Sequence, residues 1–140
     1  MRLLLQLAAF LLLVNSQCLP NAALSKDGKK CFVTVFLQAT YHKADKACQQ
    51  FGGHLAEITN EKDHQAIVDS FKNQSANEVY HFERKIWINA LNRKEEETRS
   101  TFSRWDLKNA CVVLNTETGF WENEQCSYDH SFTCEMPCFR

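Results

Sequence analysis

The sequence predicts a single α+β domain, exported and stapled by disulfides. The first sixteen residues, MRLLLQLAAFLLLVNS, have the form of a secretory signal peptide. Arg2 supplies the positive start, Leu3 to Val14 an apolar run too short to span a bilayer, and Val14-x-Ser16 a small-residue cleavage pattern. All seven cysteines lie beyond that point, which in a short exported chain reads as a disulfide framework. The remainder alternates two stretches of helical period with short runs of β-branched and aromatic residues.

Length allows one domain, residues 17–140. No second stretch approaches transmembrane length, so a secreted, extracellular chain without membrane insertion is expected. Without Arg2, fifteen basic residues face seventeen acidic ones, a balance that argues against a nucleic-acid partner. No CxxC pair occurs and the five histidines are scattered, so zinc is not expected. There is no GxSxG, HExxH or glycine-rich phosphate loop, and none of the histidines has an evident nucleophile partner. The chain is therefore read as non-catalytic.

In chain order, a polar lead from Gln17 to Lys30 holds Cys18 and the turn-prone Asp27-Gly28. Lys30 to Phe36 (KCFVTVF) reads as a strand. Thr40 caps a helix through Phe51, with Tyr41, Ala44, Cys48 and Phe51 on one core-facing stripe and Gly52 as its stop. His54 to Ile58 is a short strand. Thr59 or Asn60 then caps a second helix to about Lys72, which buries Ile67, Val68 and Phe71. Lys72 to Glu78 reads as a polar loop carrying the N-glycosylation acceptor Asn73-Gln74-Ser75. Lys85 to Leu91 (KIWINAL) is apolar on both faces, as a central strand requires. Asn92 to Lys108 contains neither glycine nor proline. Cys111 and Cys126 bracket an apolar strand, a turn at Gly119 and an aromatic strand at Phe120 and Trp121, a spacing fit to staple a short antiparallel unit. Spacing alone does not choose among the fifteen pairings of six cysteines.

The order C-QQFGGHLAEI, WINAL, C-VVL, FWEN, C and FTCE resembles the C-type lectin-like domain, from about Cys31 to Glu135. The resemblance implies two helices flanking two small antiparallel sheets, stapled by Cys48–Cys134 and Cys111–Cys126. It also implies the family's additional N-terminal hairpin, closed by Cys18–Cys31. Trp87, Trp121, Phe120 and Phe132 are expected in the core. Cys138 has no family counterpart. It is expected either as a loose terminal thiol or as the link of a disulfide-bonded homodimer, and a pairing with Cys18 that frees Cys31 is a third possibility.

Sugar-binding members hold one calcium ion with a proline-containing loop motif, a glutamate two residues before the third conserved cysteine, and the carboxamide and carboxylate of a later "WND". Calcium asks for six to eight hard oxygen ligands on a rigid frame. The pattern breaks here in three places. The only prolines are Pro20 and Pro137, the glutamate position is Asn109, and the "WND" position is Trp121-Glu122-Asn123. Trp105 resembles the tryptophan before the loop motif, yet only five residues separate it from Cys111, as if the ligand-bearing segment were deleted. No cofactor is expected, although Glu95, Glu96, Glu97, Asn109, Glu122 and Asn123 leave an improvised calcium site open. The expected function is recognition of a glycan or an extracellular protein by a face holding Trp105, Asn109, Glu122 and Asn123. The alternatives are a calcium-dependent lectin with a non-standard site, a toxin-like protein-binding module and a surface-coating protein.

Overall fold

A computed structural model describes residues 18–75, 84–89 and 111–138, together with the backbone of 98–100. The expected signal segment 1–16 lies outside the described residues. Ten elements follow in order: β1 (Ala23–Leu24), β2 (Lys30–Ala39), α1 (Tyr41–Gln50), β3 (His54–Leu55), α2 (Glu61–Ser75), β4 (Lys85–Ile88), β5 (Thr98–Ser100), β6 (Cys111–Asn115), β7 (Trp121–Glu124) and β8 (His130–Pro137).

The α+β class stands, and the two antiparallel halves are joined into one sheet. Strand order is β1-β2-β8-β4-β6-β7-β5, with β3 on β8. β1, β2, β3 and β8 pair antiparallel, as do β4, β6 and β7, and the join is a short parallel contact of Ile86 and Trp87 with Ser131 and Phe132. β5 covers the outer edge of β7 in parallel, a strand that the polar composition of 92–108 does not announce.

Side-chain alternation on the inner strands fills both faces of the sheet. Ile86, Ile88, Val112 and Leu114 point to one side, where Ile67, Val68 and Phe71 of α2 cover them. Trp87, Val113 and Phe132 point to the other, against Ala44 and Cys48 of α1. The bonds Cys18–Cys31, Cys48–Cys134 and Cys111–Cys126 are present, and the middle one ties α1 to β8.

Each helix start has a different anchor. Thr40 is extended at the entry of α1 but makes no side-chain cap, and the Tyr41 amide donates instead to the Cys126 carbonyl at 3.1 Å. At α2, Asn60 Oδ1 accepts from the Asp63 amide at 2.8 Å while its Nδ2 donates to Asp63 Oδ2 at 2.9 Å. Asp63 is buried, and its Oδ1 accepts from the Lys26 amide at 2.7 Å, which docks the N-terminal hairpin on the helix. Within that hairpin turn the Ser25 hydroxyl, then the Lys29 amide, hydrogen-bond Asp27 and hold its carboxyl below the usual range.

Three expectations need correction. Phe51 is not on the buried stripe: α1 ends at Gln50, the chain turns, and the ring is 61% exposed. Phe120 is 43% exposed because it belongs to the turn before β7, not to the strand. α2 runs on to Ser75, so Asn73 sits in its last turn, exposed, instead of in a loop. Trp121 is half-buried at the edge of the α2-side core.

Gly53 marks the tightest approach. A Cβ there would collide with the backbone carbonyl of Glu135, which cannot move without breaking β8 away from β3. Gly53→Ala should therefore destabilise the fold by about 3 kcal/mol or more, the upper range for overpacking. Gly52→Ala, at φ +86°, meets open space and should cost about 1–2 kcal/mol from backbone strain alone. Denaturant midpoints of the two variants compare the effects directly, and equal losses would refute the steric account.

Candidate functional site

β7 is the element on which the sequence places two candidate ligand residues. A strand sends successive side chains to opposite faces. Glu122 and Glu124 therefore share one face, while Asn123 points to the other, among the α2-side core, where it is 2% exposed. Glu122 and Asn123 thus point to opposite sides of β7. Trp105 and Asn109 lie outside the described residues.

The Glu122 face already holds a cation. Lys85 Nζ lies 3.4 Å from Glu122 Oε1 and 3.7 Å from Glu124 Oε2. Asn115 Nδ2 donates to Glu122 Oε2 at 3.2 Å, and His130 Nε2 lies 3.0 Å from Glu124 Oε2. The register makes this possible: Lys85 opposes Asn115 on β6, and Val113 opposes Glu122, so the ammonium reaches across one strand to two carboxylates. The ammonium, on a side chain 35% exposed, is thus within ion-pair distance of both acids. Lys85 opens the apolar run KIWI on the same parity as Trp87. That isolated charge at the head of a buried strand was the available signal.

Beside β7 lies a second feature, a cleft of about 300 Å³ between the entry of α2 and the β6–β7 turn. Trp121 Nε1 donates to His64 Nδ1 at 3.2 Å, and the two rings stack at an interplanar angle of 14°. Because Nδ1 accepts, the imidazole proton is on Nε2, on the side of Gly119. Phe120 stands at the rim, with Thr59, Asn60 and Glu61 opposite. An aromatic rim facing amide, hydroxyl and carboxylate groups suits a ligand with apolar and polar faces. The sequence places Phe120 in the core and offers His64 only as a surface or hydrogen-bonded histidine, without its tryptophan partner.

An apolar groove of about 470 Å³ opens at the other end, where Leu19, Val33, Val35, Phe51, Met136 and Pro137 line it. At its margin the Cys138 sulfur lies 3.5 Å from the Cys31 sulfur, and the thiol donates to the Gly28 carbonyl at 3.3 Å.

Comparison with known proteins agrees with this architecture. Residues 37–136 match the family model described as Lectin C-type domain. Rheacalcin-2 of Rhea americana is 30% identical over 128 residues, 78% of this chain and 89% of that protein. Human lithostathine superposes with a TM-score of 0.66 at 17% identity, over 86% of this chain and 91% of that one. A calcium-independent type II antifreeze protein superposes at 0.60 with 19% identity, over 86% and 95% of the two chains.

Proposed function

The chain belongs to the C-type lectin domain family, and on that premise we propose that it is a secreted, non-catalytic recognition protein that binds an extracellular glycan or protein ligand without a calcium-dependent sugar site. The observation that carries this reading is the ammonium of Lys85 between Glu122 and Glu124. The acidic pair that would begin a calcium shell is satisfied from within, and Asn123 is turned into the core. The fold accommodates such a state, since one structural neighbour is a calcium-independent antifreeze protein. The aromatic cleft at Phe120, Trp121 and His64 offers a contact surface that needs no metal.

Calcium should then change stability very little. A ligand bound only to the folded state, at a hundredfold excess over Kd, adds about 2.7 kcal/mol and raises the melting temperature by several degrees. Here millimolar calcium against chelator should move it by no more than about one degree. A glycan array and a pull-down from extracellular fluid, each run with and without chelator, should give the same partners in both conditions. Phe120→Ala should weaken the captured interaction about tenfold, the loss that truncating an aromatic anchor brings. Binding that disappears with chelator, together with a calcium shift of several degrees, would replace this reading with a calcium-dependent lectin of non-standard site.

Asn73 is exposed on the last turn of α2, above a shallow polar hollow formed with Asn21, Ser70 and Gln74. We place an N-linked glycan there. Enzymatic deglycosylation of the secreted protein should lower its mass by one glycan, and Asn73→Gln should already have the lower mass.

A further inference from the structure

Cys138 lies beside a bond between two other cysteines. The β2–β8 register pairs Lys30 with Pro137 and Cys31 with Met136, and the Cys138 amide donates to the Lys29 carbonyl at 3.2 Å. This fixes the tail next to the Cys18–Cys31 disulfide, so that the sulfurs of Cys18, Cys31 and Cys138 all lie within 4.8 Å of one another. Cys31 is buried at 2% exposure, whereas Cys18 and Cys138 are half-buried. The Cys31 sulfur therefore has two cysteines within reach and can bond to only one of them.

We propose that Cys31 is a shared half-cystine, and that exchange with Cys138 makes Cys18 the chain's reactive, modifiable thiol. The Cys138 thiol gives up its proton and its sulfur attacks Cys31 Sγ. A Cys31–Cys138 bond forms, the Cys18–Cys31 bond breaks, and its electron pair leaves on Cys18 Sγ, which takes up a proton. The number of disulfides is unchanged, so neither oxidant nor reductant is consumed.

The two pairings differ in what they tie down. With Cys18–Cys31 closed, the N-terminal segment is clamped to β2, and Leu19 lines the apolar groove. With Cys31–Cys138 closed, the bond fastens the C-terminal tail instead. The segment before β1 is then held by the Ala22–Leu19 turn, by hydrogen bonds from Ser70 and Gln74 to the Asn21 carbonyl, and by the two residue pairs of β1 with β2. Cys18 lies N-terminal to all of these anchors, so its thiol meets solution reagents more readily than Cys138, which the Lys29 and Gly28 carbonyls hold against the hairpin.

The secreted protein, its Cys18→Ser variant and its Cys138→Ser variant provide the test. Free thiols are titrated after denaturation, and bonded or alkylated cysteines are located by peptide mapping. Cys18→Ser should contain no free thiol and a Cys31–Cys138 bond, where an unshared Cys31 would leave two free thiols. The wild type, incubated at mildly alkaline pH with an alkylating reagent, should accumulate label on Cys18 with a Cys31–Cys138 bond in the same molecules. Cys138→Ser should take up no label. Two free thiols in Cys18→Ser would overturn the proposal. So would wild-type label confined to Cys138, or a homodimer joined Cys138 to Cys138. The wild-type labelling decides the question even if Cys18→Ser fails to fold.

Discussion

Replacing Cys48 and Cys134 together by alanine should remove about 4–5 kcal/mol of stability, enough to leave much of the protein unfolded at 37 °C. The two cysteines are 86 residues apart, and on the chain-entropy account a loop of that length gives the largest stabilisation of the three bonds. Cys18–Cys31 and Cys111–Cys126 close separations of only 13 and 15 residues, worth about 3 kcal/mol each. Both sulfurs of the long bond are buried in the α1-side core, so alanine also leaves two small voids there. The double replacement avoids creating new thiols that would reshuffle. Denaturant unfolding under non-reducing conditions measures the loss, which should correspond to a fall in melting temperature of about 15 °C. A loss below about 1 kcal/mol would mean that packing alone holds α1 on the sheet.

Trp87→Ala should cost about 4 kcal/mol, within the range for deleting a fully buried tryptophan. Trp87 is 0% exposed at the centre of β4, and its ring meets Tyr41 and His130 edge-on at centroid distances of 5.7 and 5.0 Å. Its Nε1 donates to the Ala39 carbonyl at 2.8 Å, which ties β4 to the far end of β2. Alanine therefore opens a cavity and strips a carbonyl of its donor. Trp87→Phe keeps most of the packing and loses the hydrogen bond, so it should cost about 1–2 kcal/mol. The same denaturant series separates the two contributions. Equal losses from both variants would show that the hydrogen bond, and not the ring volume, is what matters.

What was legible in the chain was mostly local or two-faced. KIWI announces a central strand because Ile86, Trp87 and Ile88 are apolar whichever way they point. Ile67, Val68 and Phe71 announce the buried side of α2 by their spacing, and Asn60 announces its start. Phe51 fits the same period as Ala44 and Cys48 but falls one residue past the helix end, where periodicity no longer governs direction. Phe120 lies just outside a strand in the same way, after Gly119 at φ +79°. The opposed directions of Glu122 and Asn123 follow from strand alternation, but reading them together as a motif hid that parity. The Lys85 bridge depends on pairing across three strands, and the Cys138 contact on the β2–β8 register between residues more than a hundred positions apart. No window of neighbouring residues contains either one.

The position of β8 has a consequence for the order of events during synthesis. Last in sequence among the described strands, it is also the one that β2, β3 and β4 all pair with. Both described helices and every other described strand leave the ribosome before the surface that organises them exists. At about 5–20 residues per second, Cys48 waits on the order of 4–17 s for Cys134, 86 residues later. During that interval it can meet Cys111 but not its native partner. Productive folding therefore waits for β8, with high contact order, and depends on keeping an early thiol uncommitted until that strand arrives.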